Sequence, residues 1–235
     1  LVTLGAIDDY KQLGWKIKFV GMFIGSSIII FYGDIVVHHI GTYGHMGKID
    51  LGNFSIPFTY LGIIGVTNSI NLIDGLNGLA GGTSLLAFVF MGIAALIKGN
   101  QTMALFCFSF AGALLGFLRY NFTRAKIFMG DSGSLFLGFS VAVVAIRLTQ
   151  NPQYIIEPTF PVLVLLLPIF DTLRVMLLRI FNFKNPFKAD KTHLHHLIVR
   201  RKYSASKTVV FLWSLTAGFG LFALLLIKRT ALSFM

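Results

Sequence analysis

Asn68, Asn71 and Asp74 recur at every third residue of Asn68-Ser-Ile-Asn71-Leu-Ile-Asp74. On a helix of 3.6 residues per turn this spacing lines two carboxamides and a carboxylate along one stripe, so all three are expected to face one polar cavity. Gly75, Gly78, Gly81 and Gly82 follow, with Asn77 among them. They permit a tight reversal and let backbone come close to a phosphate at the start of the next helix. Asp8 and Asp9 form an adjacent acid pair, with Lys16 eight residues after Asp8. Two carboxylates at the end of an apolar stretch repel and need a cation, either a lysine or a divalent metal.

A third group runs from Asn121 through Arg124, Lys126 and Phe128 to Gly130-Asp131-Ser132-Gly133-Ser134. Asp131 opens an apolar run among small residues, which suits a Mg²⁺ ion that keeps waters and takes phosphate oxygens as its other ligands. It equally suits a helix N-cap. The fourth group runs from Asp171, Arg174 and Arg179 to Asp190, His193, His195 and His196. His-x-His-His alone is a poor zinc template, and among so many cations it reads as a hydrogen-bonding clamp for a diphosphate. Asp171 and Arg174, at i and i+3, read as a structural pair. His38, His39 and His45 fall in a Gly-rich connection elsewhere, where nothing supports chemistry.

The elements that position these groups are apolar. With 55% hydrophobic and 12% charged residues in 235, and a mean hydropathy of +0.78, the composition is far from that of a soluble domain. The fold class is all-α polytopic membrane protein, in one transmembrane domain over residues 1–235. Seven spans are expected, at roughly 17–37, 54–72, 79–97, 102–118, 133–149, 159–180 and 207–227. Apolar Leu1 to Ile7 reads as the last turns of a helix cut short, without the basic region and cleavage site of a signal peptide. Gly21-x3-Gly25 and Gly112-x3-Gly116 have the spacing of close helix packing. The lone Cys107 lies within a span.

Fifteen of the 20 Lys and Arg residues fall on alternate connections together with the four groups above, which marks that side as cytoplasmic. Topology and attraction to anionic headgroups account for the +11 net charge without nucleic acid.

In order and over nearly the whole chain, the four groups resemble the motifs of the polyprenyl-phosphate N-acetylhexosamine-1-phosphate transferase family, above all Asn-x2-Asn-x2-Asp-Gly and Phe-Met-Gly-Asp-x-Gly-Ser. The tail with Asp190 and His193-x-His195-His196 is closest to the N-acetylglucosamine branch. That family has ten or eleven spans, so the resemblance implies that the first helices precede this chain. It also implies transfer of N-acetylhexosamine-1-phosphate, chiefly the N-acetylglucosamine form, from a UDP-sugar to undecaprenyl phosphate with release of UMP, in the bacterial plasma membrane with the site at the cytoplasmic face. A different UDP-N-acetylhexosamine or a UDP-muramoyl-pentapeptide donor is the neighbouring alternative, and a transporter with a midplane pathway the alternative of another class.

By the same resemblance the cofactor is Mg²⁺, with Mn²⁺ as substitute, on Asp131, Asp8 and Asp9. Asp8, Asp9, Asp74 and Asp131 are the catalytic candidates. Lys16, Asn68, Asn71, Asn77, Asn121, Phe128, Arg179, His193, His195 and His196 are the substrate-binding candidates, with Asn121 and Phe128 toward the uracil. Membrane lipids and a homodimer are the further partners, and no nucleic acid. Two positions depart from the family pattern: Asn77 replaces a usual Asp, and Arg124 a frequent Pro. Asparagine keeps a carbonyl acceptor but removes the charge that metal binding or proton transfer would need.

Overall fold

The computed structural model describes residues 1–43, 47–183 and 192–232. His45, Asp190 and the lysines at 184, 188 and 191 lie outside the described residues. The order is α1 (Val2–Lys11), α2 (Trp15–Phe31), a hairpin of β1 (His39–Tyr43) and β2 (Gly47–Asp50), then α3 (Ser55–Ile73), α4 (Leu79–Ile97), α5 (Gln101–Asn121) and α6 (Gly130–Thr149). After these come α7 (Thr159–Val164), α8 (Leu166–Phe181), α9 (Leu194–Arg200) and α10 (Ala205–Leu232). The chain is an all-α multi-pass membrane protein.

Among the described residues, five helices are long and apolar enough to cross a bilayer: Gly52–Ile73, Leu79–Ile97, Gln101–Asn121, Gly130–Thr149 and Ala205–Ile227. The other two expected spans differ. The segment read as 17–37 is helical only to Phe31, and Tyr32 to His38 lead irregularly into β1. The segment read as 159–180 is broken at Leu165 into α7 and α8. Pro168 supplies no N–H for the Val164 carbonyl, and its ring crowds that carbonyl, so the helix ends there and restarts.

α4 and α6 are the most enclosed spans, each 67% buried over its apolar window. Phe88, Met91 and Ala94 of α4 join Cys107 of α5, Val141 and Leu148 of α6, and Phe160 and Val164 of α7 in the main core. Small residues set the close approaches at the functional end. Gly5 of α1 lies on the Asp131–Ser132 backbone, and Gly138 of α6 lies on Thr67 of α3. Gly21 packs on Leu4 of α1 and Gly25 on Leu1 just before it, as their spacing predicts, whereas Gly112 and Gly116 meet no described neighbour. Among the described residues the expected close packing is therefore made by the first pair alone.

The hairpin, absent from the sequence reading, occupies the end of the bundle opposite Asp131. Gln150, just past α6, accepts from the His38 and His39 amides at 3.0 and 3.3 Å and donates to the His39 carbonyl at 3.1 Å. Glu157 accepts from the Thr42 amide at 3.0 Å. The length of α6 separates this end from the acidic one by about 30 Å.

Candidate active site

Four helix ends converge on one ammonium group. Lys18, in the first turn of α2, donates to Asp8 Oδ2 at 2.7 Å and to Asp131 Oδ2 at 2.6 Å. Asn71, in the last turn of α3, donates to Asp131 Oδ1 at 2.7 Å and to Ser134 Oγ at 2.8 Å. Asp131 is thereby held on both oxygens. Charge-assisted bonds of this length are among the strong ones, and one lysine neutralises part of an acid pair contributed by two helices.

Asp9 has a different environment from its neighbour. Its Oδ1 accepts from the Asp131 amide at 2.7 Å and its Oδ2 from the Ser132 amide at 3.2 Å, so it satisfies the N-terminal amides of α6 from outside the helix. Gly130 makes this contact feasible. Its φ is +62°, and a Cβ there would come within 2.6 Å of Asp9 Oδ2. Asp8 is only 6% exposed, and its Oδ1 is buried with no hydrogen-bond partner.

Asp74 lies one residue past the end of α3, in the turn that leads to α4. Burial, reinforced by the negative charges of Asp131 and Asp9, pushes its carboxyl up to about 7. The turn is latched by Asn121, which accepts from the Gly78 amide at 2.6 Å and donates to the Ile127 carbonyl at 2.9 Å. Asn121 is thus committed to joining the α3–α4 turn to the α5–α6 loop.

Two cavities meet at this cluster. A polar one of about 520 Å³ is lined by Asp8, Asp9, Asp74, Asn77, Phe128 and Asp131, with Gln12, Asn121 and residues 75–76 and 129–130 completing the wall. A more apolar one of about 270 Å³ is lined by Trp15, Lys18, Phe19, Asn68, Leu72 and Met176, among others. Asn71 lines both. The expected stripe is therefore split, with Asp74 on the polar cavity, Asn68 on the apolar one and Asn71 between them.

The remaining candidates are distributed as follows. Phe128 is 76% exposed at the mouth of the polar cavity, a position open to stacking. Lys16 is exposed, its ammonium 5.7 Å from the Trp15 ring centre, and it does not reach the acids. Arg179 is buried in the last turn of α8 and lines neither cavity. His193 bonds Asp171 Oδ2 through Nδ1 at 2.9 Å and lines the apolar cavity. His195 is buried, and His196 stacks at a tilt beside it with ring centres 4.2 Å apart. None of the three histidines lines the polar cavity. Burial, with His196 and His193 nearby, takes the His195 imidazole down to about 4.

Asp171 pairs with Arg174 at 2.9 Å, as its spacing predicts, and also accepts from the Leu194 amide at 3.0 Å. It ties α8 to the start of α9. The sequence reading missed Lys18, counting it only as a topological charge. Its signal was there: an ammonium just inside a run too apolar to tolerate one unpaired. Ser134, whose hydroxyl takes the second Asn71 bond, was seen only as a small residue.

The acidic end suits a hard divalent cation in its donor chemistry. Asp8 offers an unpartnered buried carboxylate oxygen, and Asp131 stands one ammonium away. Among the described residues no three acidic, His or Cys side chains form a ready-made metal cage. Mg²⁺ does not require one, since it is commonly held by one or two carboxylates, with water and phosphate oxygens completing its shell.

Apolar spanning helices whose polar residues converge at one end, beside a cavity of mixed polarity, define a membrane protein with an interfacial polar site. Residues 1–149 match glycosyl transferase family 4, and the chain belongs to that family. It is 35% identical over 231 residues to a Bacillus subtilis (strain 168) protein described as a probable undecaprenyl-phosphate N-acetylglucosaminyl 1-phosphate transferase, covering 98% of this chain and 64% of the relative. It is 28% identical over 216 residues to the undecaprenyl-phosphate alpha-N-acetylglucosaminyl 1-phosphate transferase of Escherichia coli (strain K12), covering 90% and 59%. It is 30% identical over 217 residues to the Yersinia pestis protein of the same description, also covering 90% and 59%. The chain thus spans about three-fifths of the length of these relatives.

Proposed function

We propose that the protein containing this chain transfers N-acetylglucosamine-1-phosphate from UDP-N-acetylglucosamine to undecaprenyl phosphate, releasing UMP at the cytoplasmic face of the membrane. The observation that carries this reading is the junction of two unlike cavities at Asn71, Lys18 and Asp131. A nucleotide-sugar needs a polar, open cavity, and a lipid phosphate needs a cation beside an apolar wall. The two must meet where the phosphorus is attacked. The names of the relatives support the two substrates, and the excess of Lys and Arg on the same end supports the cytoplasmic assignment.

In the transfer, an oxygen of the acceptor phosphate attacks the sugar-bearing β-phosphorus. A new P–O bond forms as the bond to the UMP oxygen breaks, and the leaving electron pair stays on UMP. Lys18 faces the acceptor side and offsets charge as two anions approach. The acceptor monoester has a second pKa near ~6 and is already mostly dianionic at neutral pH, so no dedicated base is required. Asp8 and Asp131 would hold Mg²⁺, which when bound neutralises the diphosphate oxygens. Asp9 keeps the N-terminus of α6, and with it Asp131, in place. Phe128 offers a ring face to the uracil.

The test is release of UMP from UDP-N-acetylglucosamine by the full-length protein in detergent or nanodiscs. Release that needs both undecaprenyl phosphate and Mg²⁺ is expected, with loss on chelation. Release undiminished without the lipid, or no release with both present, overturns the reading.

A further inference from the structure

We propose that His195 is a positioning residue that sets the Asp74 turn in the wall of the polar cavity by bearing on Gly75, and that it does not contact substrate. This rests on the assignment of the polar cavity to the nucleotide-sugar. His195 is 1% exposed, and its Nε2 is buried without a hydrogen-bond partner. That atom is pressed against Gly75. A Cβ at position 75 would collide with Nε2 and come within 3.1 Å of both Cδ2 and Cε1. The other side of Gly75 lines the polar cavity beside Asp74 and Asn77. One glycine therefore separates the imidazole from the polar cavity.

The ring has nowhere to retreat. Ile73 and Leu79, at the two ends of the turn, enclose it with Leu167, Asp171, Leu194 and Leu212, leaving a void of only about 10 Å³. Its backbone is anchored as well. Asp171 of α8 receives the His193 ring at 2.9 Å and the Leu194 amide at 3.0 Å, which fixes the first turn of α9. Arg174 joins Asp171 at 2.9 Å and the Thr192 carbonyl at 2.5 Å, bracing the same corner. A rigid chain of contacts thus runs from α8 through α9 to the turn carrying Asp74. Neither Gly75 nor His195 lines the apolar cavity, so their contact bears on the wall of the polar one.

The experiment is a double-mutant cycle of Gly75→Ala and His195→Ala in the full-length protein, with KM measured separately for UDP-N-acetylglucosamine and undecaprenyl phosphate. Gly75→Ala is expected to raise the donor KM at least tenfold and to leave the acceptor KM within about twofold. Adding His195→Ala removes the obstructing ring and should recover most of that loss. A double variant as impaired as the product of the two single effects, or an acceptor KM that moves as far as the donor KM, overturns the proposal. Melting temperature reads the same coupling without turnover: the double variant should melt above Gly75→Ala, and equal or lower melting counts against the contact. If Gly75→Ala does not accumulate in membranes, restored accumulation in the double variant supports the proposal and continued failure overturns it. Wild-type protein that releases no UMP sinks the transferase reading, while the melting cycle still decides the His195–Gly75 contact.

Discussion

Lys18 Nζ stands 2.6 Å from Asp131 Oδ2, joining residues 113 positions apart in the chain. The same ammonium reaches Asp8, so the first turn of α2 closes a cluster opened by α1 and α6. Lys16, only two residues away, is turned outward over Trp15. On a helix two positions differ by about 200°, which puts the two lysines on nearly opposite faces.

Exchange of these two lysines should separate cleanly. Lys18→Met leaves Asp8 and Asp131 facing each other without a counter-charge and is expected to lower UMP release by about 100-fold. Lys16→Met should cost less than about threefold, the scale of an exposed surface charge. Comparable losses in the two variants would contradict the assignment of Lys18 to the cluster.

Asp8 and Asp9 should respond differently to magnesium. Asp8 has a buried oxygen without a partner, whereas both oxygens of Asp9 are taken by α6 amides. Asp8→Asn is therefore expected to raise the Mg²⁺ concentration for half-maximal activity at least about tenfold, one lost charged ligand being worth that much. Asp9→Asn should shift it by less than about threefold and should instead lower the melting temperature, through a capping loss of about 1 kcal/mol. Magnesium titration of the two variants, with melting curves alongside, checks both outcomes.

Asp74 predicts a pH-dependent stability. The folded protein holds its proton up to about 7, against an ordinary value of 3.8, because of burial and the charges of Asp131 and Asp9. Between those two pH values the unfolded chain has released a proton that the folded chain retains. Stability conferred by this group therefore falls as pH rises from about 4 to 7, and levels off above that. Asp74→Asn in magnesium-free buffer should melt higher than the parent at pH 8, by roughly 2–4 kcal/mol, with the difference vanishing near pH 4. Parallel melting curves across that range would show that the carboxyl is not strained, and a variant that is stabilised but inactive would show strain kept for function.

Sequence alone determined the membrane class, because backbone in hydrocarbon must satisfy itself and long apolar runs leave helices as the solution. It also placed Asp8, Asp74 and Asp131 at helix termini whatever the packing, and it identified Asp171 with Arg174 because an i, i+3 contact is local. The break at Leu165 was legible in principle from Pro168 three residues later, which leaves the Val164 carbonyl without its i+4 donor. The tertiary structure decided the rest. Lys18 against Lys16, the division of Asn68 from Asp74 between two cavities, and the burial of His195 behind Gly75 all depend on how helices far apart in the chain are rotated against one another. Rotation about a helix axis is set by side-chain packing between helices. Spacing along one helix fixes which residues share a face, but only the neighbouring helices fix where that face points.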